Sequence, residues 1–289
     1  MLDLSLPDMR STVSGASLSV DAFQFAEPAS FDPQHVINVL NGESVGVIFR
    51  NLIPKAQREA ICANFWRHPG RYQRGAEAPG HYIGTFHYHK ELPHYFADSA
   101  EINPMLSSIF EGVVDPVGEF RSELGSTLAQ VGRTLRAARW NNAEACRFLM
   151  RSWIGGGSFA LLPHEDLGQC TDPRQRGFEI QEAAAENTIA SVNMCLENTG
   201  GGGLRMWNVI PDKESRAALG LTISGSPYPL EVLDGHESFD VAINPGDVYV
   251  FDGRYVHAVT SLDAGAEGRR ATIAFLMANK DARETICWT

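Results

Sequence analysis

The chain has 289 residues, with 24 Lys+Arg against 35 Asp+Glu and a formal net charge of −11. That balance excludes an electrostatic nucleic-acid binder, which needs a dense Lys/Arg surface, and it disfavours anionic membranes. At 44% hydrophobic residues, the chain can bury a sizeable core and is not disordered.

Residues 1–30 show no sustained period and read as a loose arm or an edge element. A strand follows at 45–52, rich in β-branched and aromatic residues. Pro54 opens a helix over Lys55–Arg67, with Ala56, Ala60, Ile61 and Phe65 as its apolar face. Residues 70–80 form a Gly-rich loop, and 81–89 (HYIGTFHYH) read as extended. Two helices are predicted at 99–110 and 116–139, the second carried by Leu124, Leu128, Val131 and Leu135. Beyond Cys146 the pattern changes to short apolar runs broken by Gly, Pro and Asp. Strands are predicted at 146–153, 158–162, 188–197, 203–208, 238–243, 247–251, 257–261 and 270–278. This is the signature of a sandwich or jelly roll, in an α+β chain with a mainly β core and helices first. The expected organisation is one domain over 1–289, with 1–144 as helical support and pocket wall and 145–280 as the jelly-roll core. The long connections 171–187 and 211–233 are candidate lids or cleft walls.

The five cysteines are scattered without CxxC spacing, as expected of reduced cytoplasmic thiols. No run approaches the roughly 18 apolar residues of a membrane span. The first residues lack the apolar segment of a signal peptide.

His164, Asp166 and His257 are the candidate metal ligands. His164-Glu165-Asp166 follows an apolar run, and on an extended chain positions two apart face the same way. His257 lies within a second strand-like run, 253–259. Two imidazoles and a carboxylate suit non-haem Fe(II) with open positions, and zinc is chemically allowed. The segment Pro245–Phe251 leads into the distal histidine. Beyond it lies Arg270-Ala271-Thr272, an R-x-T whose guanidinium and hydroxyl suit a carboxylate ligand. Arg269 is the alternative, facing the other way. Arg147 and Asn193 sit in apolar strand-like runs, and each could point inward at a cosubstrate or serve structure alone.

In this order, His164-x-Asp166, GDVYVF, His257 and Arg270-x-Thr272 resemble the Fe(II)/2-oxoglutarate-dependent oxygenase superfamily, over about residues 145–280. The segment 94–112 and the run GGGGLRMWN at 200–208 resemble bacterial small-molecule-tailoring enzymes. These are the indole-alkaloid halogenases and hydroxylases of free or N-acylated amino acids. The resemblance implies a double-stranded β-helix, with Fe(II), 2-oxoglutarate and O2 as cofactors. It implies Arg270 and Thr272 at the cosubstrate. Phe86, His87 and Tyr88 would form a substrate-facing wall. In those halogenases a Gly replaces the carboxylate ligand and admits chloride. Asp166 is retained here, which implies hydroxylation or another outcome of hydrogen abstraction, such as desaturation. The implied partner is a small molecule, an amino-acid derivative or secondary metabolite, with no nucleic acid and no membrane. A non-catalytic cupin-like metal protein is the competing reading, although the G-x-H-x-H run of cupins is absent.

Overall fold

The computed structural model describes residues 12–75, 80–154, 158–263 and 268–289. The N-terminal half supplies helices α1 (Pro33–Leu40), α2 (Lys55–Arg67), α3 (Leu92–Leu106) and α4 (Pro116–Gln130). It also supplies strands β1 (Gly46–Phe49), β2 (Tyr72–Arg74), β3 (Gly80–Ile83) and β4 (Thr134–Ala137). The C-terminal half contributes β5 (Leu149–Ile154), β6 (Phe159–His164), β7 (Ala190–Asn198), β8 (Leu204–Trp207) and β9 (Ser238–Val241). It continues with β10 (Val248–Asp252), β11 (His257–Thr260), β12 (Arg269–Asn279) and β13 (Glu284–Trp288). Helix α5 (Glu179–Glu186) and helix α6 (Lys213–Ala218) sit in the two long connections.

The strands form a double-stranded β-helix. The major sheet runs β1-β10-β7-β12-β5-β3-β2, with β13 beside the second half of β12 and β4 parallel to β13. The minor sheet runs β6-β11-β8-β9. Alternation along the major strands divides their side chains between two cores. Ile48, Tyr249, Phe251 and Cys195 pack inward against Leu204 and Met206 of the minor sheet. Val47, Val250, Val192 and Ile273 pack outward against the helices, including Ile61 and Phe65 of α2 and Leu124 and Leu128 of α4. The helices start where the sequence places capping residues. Asp32 accepts from the Gln34 N–H, Asp115 accepts from the Val117 and Gly118 N–H groups, and a proline follows each aspartate. Such caps contribute about 1 kcal/mol each.

All eight C-terminal strands expected from the pattern are present, with ends shifted by a few residues. The first half places its helices differently from the expectation: α1 was not expected, α3 begins at Leu92, and the helix expected over 116–139 is cut short. Helix α4 stops at Gln130 and Gly132 turns with φ +73°, so Val131 is solvent-exposed. The chain then returns as β4, paired in parallel with β13. The N-terminal arm is tied down: Gly15–Ala16 pairs with Ile210–Pro211, and Phe25–Ala26 pairs with β1. Residues 1–11 lie outside the described residues. Among the described residues, no helix is long and apolar enough to cross a membrane.

Arg136 on β4 clamps this junction, donating to both carboxylate oxygens of Glu179 and both of Glu284. Its guanidinium, with help from Lys280, pulls the Glu284 carboxyl down to about 2 from 4.5. A depressed carboxylate stabilises the fold fully above its unfolded value, and that stability is lost as pH falls through the folded value. Urea titrations of Glu284→Gln and the parent should therefore differ most above about pH 5 and converge as the pH falls toward about 2. A gap that stays constant with pH would remove the ion pair from the account.

Candidate active site

His164 closes β6 and His257 opens β11, and the two are direct cross-strand partners in the minor sheet. Their rings lie 4.1 Å apart, centre to centre. His164 Nδ1 is 2.8 Å from the Leu162 carbonyl, and His257 Nδ1 is 2.9 Å from the Tyr255 carbonyl. A carbonyl can only accept, so both Nδ1 atoms carry the proton and both Nε2 atoms present lone pairs. Burial drives the His164 pKa down to about 4 and His257 well below its ordinary value. The rings are therefore neutral, the state a metal needs.

Asp166 completes the set, and its ligand atom lies within 4.8 Å of those of both histidines. Its N–H donates to the Gly253 carbonyl, and Oδ1 accepts from Gln169 Nε2 at 2.8 Å. Oδ2 is buried without a hydrogen-bond partner and faces His257 Nε2 at 3.9 Å. Burial first, then Glu165, raises the Asp166 carboxyl to about 8. A divalent cation among two imidazole lone pairs and this oxygen would remove that penalty. Glu165 points away from the cluster, where the Gly168 N–H holds it.

Gly253 shapes the cluster. A Cβ there would lie 2.2 Å from Asp166 Oδ2. Gly253→Ala must displace the carboxylate and is expected to weaken Fe(II) or Mn(II) binding by about 10- to 100-fold. Calorimetric metal titration checks it, with unchanged far-UV circular dichroism as control.

The inner face of the major sheet carries the candidate anion ligands. Arg270 and Thr272 are fully buried on β12. Arg270 Nη2 donates to Tyr249 Oη at 2.6 Å, while Nε and Nη1 have no partner. Arg269 is exposed and stacks on Trp66 at 5.2 Å, so it belongs to the outer surface. Asn193 lines the cavity beside the metal cluster, about 120 Å³ in volume. Arg147 does not reach it. Residues 145–148 precede β5, and Arg147 instead pairs with Asp115 at 3.4 Å near the start of α4. The arginine that lines the cavity is Arg151, four residues further on.

The aromatic wall divides. Phe86 lines the inner cavity and, with Tyr88, a wider mouth of about 450 Å³. His87 is buried beneath this wall. Its Nδ1 donates to Gln175 Oε1 and its N–H to the Thr289 carbonyl, and burial lowers its pKa to about 4. It is a core residue and not part of the substrate wall. Ser224, Ser226 and Pro227 from the connection 211–233 also line the mouth, as expected of a cleft wall. The connection 171–187 packs under this wall instead, where Gln175 donates to the His87 carbonyl, and it lines neither cavity.

Sequence reasoning missed Arg151, Gln169 and Gly253. Arg151 had a signal, because it alternates with Leu149 and Trp153 on one strand face. Gln169 and Gly253 lie in turns and carried none.

Residues 24–289 match the family model described as the carrier-protein-independent halogenase WelO5. The chain belongs to this family. It thereby falls in the Fe(II)/2-oxoglutarate-dependent oxygenase superfamily that its motifs resemble. It is also 30% identical to an L-isoleucine 3(1)-dioxygenase of Pantoea ananatis over 262 residues, 87% of this chain and 86% of that one. The fold is shared with an N-substituted L-amino acid dioxygenase from Burkholderia ambifaria. The TM-score is 0.59 at 13% identity, covering 89% of this chain and 91% of that one. The same enzyme in complex with alpha-KG aligns with a TM-score of 0.53 at 14% identity, over the same shares.

Proposed function

We propose that the chain is an Fe(II)- and 2-oxoglutarate-dependent dioxygenase that hydroxylates a C–H bond of a small amino acid or amino-acid derivative. Substrate, 2-oxoglutarate and dioxygen give hydroxylated product, succinate and carbon dioxide. One observation carries the reading: two Nε2 lone pairs and the unpartnered Asp166 Oδ2 converge in a cavity lined by Arg151, with Arg270 bonded to Tyr249 of its wall. The amino-acid dioxygenases among its relatives support the substrate class.

His164, Asp166 and His257 would hold the metal, which when bound supplies dioxygen activation and hydrogen abstraction. Arg270, with two buried N–H groups free, would receive the distal carboxylate of the cosubstrate, and Thr272 lies on the same strand face. The rest of the chain's work is placement and exclusion of water. Leu204, Phe251 and Val259 close the inner cavity with apolar surface. Asp166 supports hydroxylation over chlorination, because a carboxylate fills the position a halide would need and repels an anion beside it. The five unpaired thiols support a reducing, cytoplasmic setting.

The test is succinate formation from 2-oxoglutarate with and without Fe(II), together with a product carrying one oxygen atom from isotope-labelled dioxygen. Chloride in the buffer is expected to give no chlorinated product. Chlorination by the unaltered protein would overturn the hydroxylase assignment, and absence of iron-dependent succinate would overturn the oxygenase reading itself.

A further inference from the structure

Arg151 is the charged group that metal and cosubstrate leave unmatched. It stands on the inner face of β5 and lines both the inner cavity and the mouth, beside His164 and Asp166. Its Nε donates to Thr272 Oγ1 and its Nη2 to Asn193 Oδ1, both at a long 3.4 Å and both to neutral acceptors. Its guanidinium rests 4.9 Å from the centre of the Trp153 ring. Among the described residues no carboxylate forms an ion pair with it, and burial, reinforced by Arg270, lowers its pKa. A half-buried guanidinium with only two weak neutral partners is better matched when a ligand brings an anion.

Charge bookkeeping says which ligand. A bound divalent metal, Arg151 and Arg270 together bring four positive charges, and Asp166 brings one negative. A dianionic cosubstrate removes two more and leaves one positive charge. The neighbouring carboxylates do not change this count. Asp252 is chelated by Arg254, and Glu165 is turned away, held by the Gly168 N–H. The remaining charge lies nearest the mouth.

We infer that Arg151 receives the substrate's carboxylate, and that the site takes a small monoanionic carboxylic acid whose amine is absent or acylated. This rests on the oxygenase reading above and narrows its substrate class. Among the described residues, Glu165 and Asp166 are the carboxylates lining either cavity. One is turned away and the other is a metal ligand, so an ammonium group has no counter-ion to meet. Phe86, Leu149, Trp153, Leu161 and Pro227 offer apolar surface for an aliphatic side chain and an acyl group.

The test is calorimetric binding, without dioxygen, to protein loaded with Fe(II) and 2-oxoglutarate. Three probes share one side chain: N-acetyl-L-isoleucine, uncharged N-acetyl-L-isoleucinamide, which matches it in shape, and zwitterionic L-isoleucine, which lacks the acetyl group. The acid is expected to bind at least about tenfold more tightly than either of the others. Arg151→Gln is expected to bring acid and amide within about threefold of each other, while Arg151→Lys keeps part of the preference. An amide or a zwitterion that binds as well as the acid overturns the inference. So does an Arg151→Gln protein that loses 2-oxoglutarate affinity as much as acid affinity, because Arg151 would then serve the cosubstrate. If 2-oxoglutarate binds but none of the three probes does, the substrate inference falls and the oxygenase reading stands. If 2-oxoglutarate itself fails to bind with Fe(II), both fall.

Discussion

Asp166→Ala is expected to lower iron-dependent product formation by more than about 100-fold, the upper end of what a lost supporting contact costs a metal site. The metal-free fold should survive. In the apo-protein, Asp166 is a desolvated carboxylate with one oxygen unpartnered and a pKa pushed up to about 8. Removing such a group relieves a penalty and breaks no ion pair. Its N–H bond to the Gly253 carbonyl comes from the backbone and is kept. The thermal midpoint of the metal-free variant should therefore match or exceed that of the parent. The rise in midpoint on adding metal should shrink, because a weaker ligand shifts the folding equilibrium less. Two readouts then separate ligand loss from misfolding. Product formation by Asp166→Ala equal to the parent would sink the metal assignment.

The convergence of the three proposed metal ligands was legible because their spacing encodes geometry. His164 and Asp166 sit two apart at a strand end, and His257 turns out to be the cross-strand partner of His164. Arg270 was legible through its face, since Thr272, Ala274 and Leu276 alternate with it. Alternation fails where the strand is interrupted. Residues 81–89 look continuous in sequence, but β3 ends at Ile83 and Gly84 takes φ +107°. The turn resets the phase and buries His87, while Phe86 and Tyr88 still line the cavities. Arg147 fails for the same reason. It is in phase with Arg151 on paper, but Cys146 is held by the Tyr95 hydroxyl and Arg147 by Asn103, off the strand. The β4–β13 pairing joins segments far apart in sequence, and periodicity within either one cannot report a distant parallel partner.

Arg270→Met should weaken 2-oxoglutarate binding by about two to three orders of magnitude, or about 3–4 kcal/mol, the range for truncating one partner of a buried, hydrogen-bonded charge pair. The size of the effect follows from burial. Arg270 is fully buried, is held by the Tyr249 hydroxyl alone, and has two N–H groups without partners. In that setting a carboxylate forked across the guanidinium is scarcely screened by solvent. Arg270→Lys keeps the charge and loses the fork, so about a tenfold loss is expected. Tyr249→Phe leaves the guanidinium in place with one more unpartnered N–H and should have the smallest effect of the three. The measurement is anaerobic titration of the Fe(II) protein with 2-oxoglutarate, with metal affinity measured separately. Metal affinity should not follow the Arg270 series, because the arginine touches no metal ligand. If Arg270→Met binds 2-oxoglutarate as the parent does while Arg151→Gln does not, the distal carboxylate lies on Arg151. The inner cavity would then have to be read the other way round, with the charge deeper in the barrel serving structure and the charge nearer the mouth serving the cosubstrate.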